Sequence, residues 1–320
     1  MSDTKCSYLS LSNVQCNEPV EKSLEYCKWH ASTCSTGEGI KKEIEEKVKQ
    51  MTSLAGYKLS SADLKHASLI GADLSGADLS RAYLQHAHMY GTNLKGANLF
   101  KANLQKANLR AADLRDCNLL GTFLEGTKLE NVKWNDNYIL INEREADEAL
   151  RNGDPNTALM KYREAEEIYR SIKLCHRTQG HSKEESPFFY REMVVHRKQM
   201  PYFSWHRLWS KLVDLISGYG EKPVNVIRTM LFLIICCAIL FGIFGVNYND
   251  ALIKFGSSDL PFITGVANLL YFSTVVFTTV GFGDITPLGY SKFIMMIEGF
   301  LGQVLMALLI VSFYRKLMSR

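Results

Sequence analysis

Cys6, Cys16, Cys27 and His30 form the pattern C-x9-C-x10-C-x2-H near the start of the chain. Thiolates and imidazole suit zinc, and four such ligands close a tetrahedral structural site with no open position for catalysis. The tight Cys27–His30 spacing is that of a ligand pair, the wider gaps are less specific, and Cys34 is a substitute fourth ligand or a bystander. A second stretch, Thr279-Val280-Gly281-Phe282-Gly283-Asp284, offers few reactive side chains. Its interest lies in the backbone, because Gly281 and Gly283 allow geometry that is costly for residues bearing a Cβ. No motif in the chain calls for an enzyme.

The elements that position this second stretch are apolar. Met230 to Val246, extended by Val226 and Ile227, is almost wholly hydrophobic, and Phe293 to Tyr314 is interrupted only by Glu298, Gln303 and small residues. About twenty residues suffice to cross the hydrocarbon core, so spans are expected at residues 226–247 and 291–315. Between them Phe262 to Phe277 is too short to cross and return. It predicts a re-entrant helix over 263–278 that runs directly into 279–284. Irregular backbone at membrane depth is tolerated only where it lines a water-filled path or is buried in protein. Lys211, Lys222 and Arg228 precede the first span and Arg315, Lys316 and Arg320 follow the second, while the connecting loop sets Lys254 and Lys292 against Asp250, Asp259 and Asp284. The positive-inside rule then places both termini in the cytoplasm. Met1 to Cys6 lacks an apolar signal region, so the front of the chain is expected in the cytosol with its cysteines reduced.

Helix, T-V-G-F-G-D, helix resembles the pore domain of two-transmembrane potassium channels over residues 225–316, the standard case of a backbone-carbonyl filter. The resemblance implies that the carbonyls of Thr279, Val280, Gly281 and Phe282 line sites for K+, that the Thr279 hydroxyl adds the innermost ligand, and that Asp284 anchors the outer mouth. Phe282 replaces the commoner tyrosine. Val275 stands where several relatives carry a buried glutamate and Phe272 at a nearby aromatic donor position, so the hydrogen bonds to the Asp284 region are not expected to form in the same way. With one filter copy per chain, a closed pore implies a homotetramer. In the second span Gly302 is a candidate bending point for a gate, with close helix packing as the rival use of a membrane glycine. Glu298, one turn earlier, is expensive in lipid and is expected to face protein or water. The first span has no regularly spaced arginines, so gating is expected to be set by the cytoplasmic part.

Residues 57–136 keep a period of five. Leu59, Leu64, Leu69 and their successors, with Met89 and finally Trp134, mark it, and a small residue such as Ala62, Ala67 or Ala72 sits two positions before most of these centres. No 3.6-residue helix holds a five-residue repeat on one face. The pattern resembles the pentapeptide-repeat family, which implies a right-handed quadrilateral β-helix with the leucines and small residues inward. Four repeats make a coil, so the sixteen repeats give four coils and a rod of roughly 20 Å at the inter-strand spacing. Its surface bases slightly outnumber its acids, which disfavours DNA mimicry, and no nucleic-acid partner is expected. A cytoplasmic protein or small ligand at the repeat domain is the natural partner, alongside membrane lipid.

The domain plan that follows is a Cys/His segment at 1–38, a capping helix at 39–56, the repeats at 57–136, and a helical linker at 137–200. Within the linker, Gly153 to Ala165 resembles part of a tetratricopeptide unit, and Ser186 to Lys198 predicts a further helix with Pro187 in its first turn. An amphipathic helix over 201–222, with Trp205, Leu208, Trp209, Leu212 and Ile216 on one face, suits the headgroup region, and the pore occupies 223–320. The fold class is thus a multidomain membrane protein: β-helix, α-helical linker and an all-α two-span tetrameric pore. A potassium-selective channel is the expected function; a non-selective cation channel, a non-conducting tetrameric receptor and a scaffold whose main activity lies in the β-helix are its rivals.

Overall fold

From Leu54 onward the backbone returns on itself every twenty residues. Leu54 donates its amide to Asp73, Leu59 to Asp78 and Leu64 to Tyr83, each bond 2.8 Å long. Parallel bridges continue the register from Lys58–Asp78 to Asp113–Lys133. The leucines of the repeat and the small residues between them are buried, so the period of five is the period of an inward-pointing core. Every fifth residue from Gly56 to Asn131 has a positive φ near 60°. These are the corners of the coil. Outside, Asn93 bonds Asp73, Asn98 bonds Asp78 and Asn118 bonds Asn98, a polar ladder between successive coils.

The structure, a computed structural model, describes residues 6–11, 13–20, 25–31, 39–248, 251–256 and 261–318. Cys34, Asp250, Asp259 and Arg320 lie outside them. The chain divides into two compact units, 1–204 and 205–320. In the first, helix α1 (Ile40–Lys49) precedes the rod with Ile44 fully buried. It is shorter than the capping segment expected at 39–56, because Met51 turns into the left-handed region and Leu54, in register with the repeat, already pairs with the next coil. After the rod come α2 (Ile141–Arg151), α3 (Pro155–Thr178) and α4 (Ser182–Gln199). Trp134 of the last coil meets Phe188 of α4 at 5.0 Å between ring centroids, and the Cys175 thiol and Gln179 amide of α3 both donate to the Thr127 carbonyl. Glu143 of α2 is fully buried and is satisfied by Arg191, Lys198 at 2.9 Å and the Tyr169 hydroxyl at 2.8 Å. Pro187 lies inside α4, not in its first turn. The helix begins a turn earlier than the sequence suggests and gives up the one amide bond that proline cannot make.

The second unit begins with α5 (Trp205–Ser217), whose Trp205, Leu208, Trp209, Leu212 and Leu215 are exposed. Gly218, Tyr219 and Gly220 all have positive φ and reverse the chain, and Pro223 opens α6 (Pro223–Phe244) at the position where its missing amide costs nothing. Helix α7 (Phe262–Phe277) and the unbroken α8 (Ser291–Met318) follow. At 1.5 Å per residue, α6 spans about 33 Å and α8 more, enough for a hydrocarbon core of about 30 Å; both are apolar enough to cross a membrane. A small antiparallel sheet, invisible in the sequence pattern, joins β1 (Val246–Tyr248), β2 (Ala251–Ile253) and β3 (Ile285–Pro287) in the order β2-β1-β3.

Candidate functional site

Helix α7 is short because its sequence runs out of side chains that favour a helix at Thr278-Thr279 and then meets two glycines. The amide of Thr279 bonds the Val276 carbonyl at 2.9 Å and that of Val280 bonds Val275 at 3.1 Å, so the chain turns tightly out of the helix end. Beyond it the sign of φ alternates: Thr279 at 59°, Gly281 at 58° and Gly283 at 80° are left-handed, while Val280 and Phe282 are not. In a β-strand successive peptide groups face opposite ways. Alternating signs of φ break that pattern and allow successive carbonyls to turn toward a common side. Two of the three left-handed positions are glycine; Thr279 carries the strain of a Cβ there, about 1 kcal/mol or more. Its hydroxyl bonds the Thr278 carbonyl at 2.7 Å. Val280 and Phe282 are exposed in the single chain.

The outer end of this segment is held in register from two directions. β3 pairs with β1, Tyr248 opposite Ile285 and Val246 opposite Pro287, and the Ser291 hydroxyl donates to the Gly245 carbonyl at 2.7 Å. The Tyr271 hydroxyl of α7 lies on the side of the Asp284 carboxylate. Phe272, at the position where an aromatic donor to the Asp284 region would be sought, packs edge-on against Phe241 at 4.8 Å.

Behind α7 lies a polar junction. The Ser273 hydroxyl is shared between the Ile234 carbonyl of α6, 2.9 Å away, and the carboxyl of Glu298 on α8, itself fully buried. Glu298 thus faces protein and links the three helices around the segment, a connection that the apolar Val275 cannot make. Gly302, one turn further along α8, lies against the end of α7: a Cβ there would come within 2.3 Å of the Phe277 carbonyl oxygen. The approach is close packing, and α8 runs through this position as one helix.

In the first unit, the ligand atoms of Cys6, Cys16, Cys27 and His30 all lie within 4.8 Å of one another. A hairpin brings the first two together, with Cys16 donating its amide to Tyr8 and Ser10 to Val14. A tight turn, in which His30 and Ala31 both donate to the Cys27 carbonyl, presents the other two. Burial pushes the Cys16 thiol up to about 12 and the Cys27 thiol upward, and pulls His30 below its usual range. A bound divalent cation would reverse the cost of forming thiolates in this pocket.

The family model described as "Ion channel" matches residues 228–319, and the pentapeptide-repeat model matches residues 58–96 and 92–131. Among solved structures, a pentapeptide repeat protein from Nostoc Pcc 7120 is 32% identical, with 30% of this chain and 94% of that one covered and a TM-score of 0.28. One from the Arabidopsis thaliana thylakoid lumen is 31% identical over 23% of this chain and 48% of its own, with a TM-score of 0.18. One from Cyanothece 51142 is 36% identical over 25% and 60%, with a TM-score of 0.13. No curated protein matches. The chain is a two-span membrane protein that carries an Ion channel domain at residues 228–319 and belongs with the pentapeptide-repeat proteins through residues 58–131.

Proposed function

We propose that the protein is one subunit of a homotetrameric potassium-selective channel, with residues 279–284 as its filter. The observation that carries this reading is the T-V-G-F-G-D stretch with alternating φ, held between a short re-entrant helix and a long span. Potassium sheds its water only for a stack of oxygens at suitable spacing, and peptide carbonyls turned toward one axis supply them. One chain provides a quarter of such a ring, and its exposed Val280 and Phe282 are apolar surface that neighbouring copies would cover. Both termini belong on the cytoplasmic side. Glu221, just before α6, pairs with Arg315 near the end of α8 at 3.0 Å, so these two helix ends share one level, and the basic residues gather there. Helix α5 then rests its tryptophans and leucines in the headgroup layer, and the β-helix unit is the place for a regulatory partner or ligand.

The test is a reversal potential in planar bilayers with potassium on one side and sodium on the other. A reversal near the potassium limit, lost in Gly281→Ala, supports both conduction and the filter assignment. Robust current reversing near zero would mean a non-selective pore. Chains that insert and assemble yet pass no current in any condition would favour the receptor reading.

A further inference from the structure

The four-ligand cluster sits where the β-helix would otherwise begin with a raw edge. Along the rod, each bridging residue donates its amide to the carbonyl twenty-one positions earlier: Asp78 to Tyr57, Tyr83 to Ala62, His88 to Ala67. For Lys58 in the first coil no earlier coil exists. Its amide is taken instead by the carbonyl of Trp29, at 2.7 Å, and Trp29 immediately precedes His30. The Trp29 ring is buried and stacks on Tyr57 at 5.0 Å, and Tyr57 occupies the place that alanine holds in later repeats. Tyr8, between the first two cysteines, stacks on the His30 ring at 3.9 Å and lies across the first corner, where a Cβ on Gly56 would meet its ring at 2.0 Å. The segment carrying the cluster is thus the cap of the rod.

We propose that Cys6, Cys16, Cys27 and His30 bind one structural zinc ion, and that this ion holds the cap on the first coil. The sulfur and nitrogen positions carry the assignment. Cys16 and Cys27 Sγ are 4.0 Å apart, Cys6 Sγ and His30 Nδ1 3.5 Å, and Cys27 Sγ and His30 Nδ1 3.2 Å. A tetrahedron with zinc–sulfur bonds of about 2.3 Å has sulfurs about 3.8 Å apart. A disulfide needs about 2.05 Å, so the cysteines are free. The histidine is held in a suitable orientation, with Nε2 2.9 Å from the Ala55 carbonyl. Donation from Nε2 leaves the Nδ1 lone pair aimed at the sulfurs, the supporting bond that metal-bound histidines commonly make. That same bond ties the ion's ligand to the strand entering the first coil. Amides of Cys27 and Glu18 point at the sulfurs of Cys6 and Cys16 at 3.3 and 3.5 Å, as suits thiolate acceptors. Three soft ligands and one imidazole, closed to a fifth group, select zinc over magnesium or calcium. An uncapped edge presents unpaired amides and carbonyls to other chains, so the ion guards the assembly against edge-to-edge association.

The experiment uses the full chain purified in detergent without chelator. Elemental analysis is expected to find about one zinc per chain, falling to near zero in Cys27→Ser and His30→Ala. Because such variants risk misfolding, the wild-type protein is also stripped with a strong chelator and reloaded with zinc or cobalt. Cobalt is expected to give the visible absorption of a tetrahedral thiolate site, and stripping is expected to speed hydrogen exchange at the Lys58 amide at least tenfold while amides of the middle coils, such as Leu94, keep their protection. A folded chain with well under one metal per chain and no cobalt spectrum would overturn the site, as would iron as its native metal. Zinc at full occupancy with Lys58 exchange unmoved by stripping would overturn the capping role.

Discussion

Gly302→Ala separates a packing role from a hinge. The added Cβ would stand 2.3 Å from the carbonyl oxygen of Phe277, and 3.2 and 3.3 Å from its carbonyl carbon and Cα. These are backbone atoms at the last turn of α7, two residues before Thr279, so no side chain is available to swing away. Restoring an ordinary contact of at least 3.4 Å requires α8 and the end of α7 to separate by about 1 Å or more, and overpacking of this kind costs about 1–3 kcal/mol. In a tetramer the cost recurs at four sites. Against it stands the gain of about 0.5–1 kcal/mol from replacing a helical glycine by alanine. Gly299, one turn earlier on α8, supplies the control: its Cβ would lie 3.8 Å from its nearest neighbour, the Val276 carbonyl oxygen, an ordinary contact. Gly299→Ala is expected to keep or raise the midpoint of thermal dissociation in detergent. Gly302→Ala is expected to lower that midpoint and, on the channel reading, to shift the reversal potential toward zero, because the displaced atoms lead into residues 279–284. If the two variants are equally stable and equally selective, the packing argument fails. If Gly302→Ala changes only the open probability, the glycine acts as a bending point after all.

Tyr271→Phe removes the hydroxyl on the Asp284 side of α7; on the channel reading, currents are expected to decline faster during sustained conduction with an unchanged reversal potential, and an unaltered time course would deny the tyrosine an anchoring role. In the first unit, burial holds the His176 ring near a pKa of about 4. The unfolded chain takes up this proton near 6.5, so His176 leaves stability intact above that pH and withdraws it between 6.5 and 4, roughly 2 kcal/mol by pH 5. His176→Leu is expected to flatten the fall in denaturation midpoint between pH 7 and pH 5, and a fall as steep as in the wild type would refute the assignment. At the coil corners Ala111 has φ 58° and Gly71 φ 65°. Ala111→Gly is expected to stabilise the rod by up to ~1 kcal/mol, relief of left-handed strain less the entropy of glycine, while Gly71→Ala, which has open space for its Cβ, is expected to lose a similar amount; equal midpoints in chemical denaturation would contradict both.

The parts of the fold that were legible are those written in one dimension. A five-residue repeat marks which residues share one face, the resemblance to pentapeptide-repeat proteins implies the coil, and the buried leucines follow it residue by residue. Two long apolar runs around T-V-G-F-G-D announce spans and a re-entrant segment without reference to any partner. What stayed hidden depends on neighbours distant in sequence. The strands β1 and β3 are three residues each and are separated by the whole of α7, so no alternation could declare them. Leu54 was in register with the repeat, but Tyr57 beside it breaks the small-residue pattern, because there the rod meets its cap and not another coil. The corner positions mix glycine with Arg81, Lys101 and Ala111, so their common left-handed backbone is masked by unlike side chains.

The same distinction explains how the segment at 279–284 is supported. Along the chain its bracing would be sought on the preceding helix, where Val275 and Phe272 are apolar. In space the bracing comes from elsewhere: β1 holds Ile285 to Pro287, and Glu298 of α8 meets Ser273. The Ser273 hydroxyl also touches the Ile234 carbonyl, so one junction joins α6, α7 and α8. A carboxyl group on α8 rather than on α7 thus ties the helix that leads into the segment to the second span. Ser273→Ala therefore tests more than local stability. Losing a buried hydrogen bond and stranding Glu298 costs about 1–3 kcal/mol, and on the channel reading that cost falls on the link between filter and span. The variant is expected to gate abnormally while remaining selective, and Glu298→Ala combined with it is expected to cost less than the sum of the two changes alone. Strict additivity in that double-mutant cycle would show that the two side chains act independently.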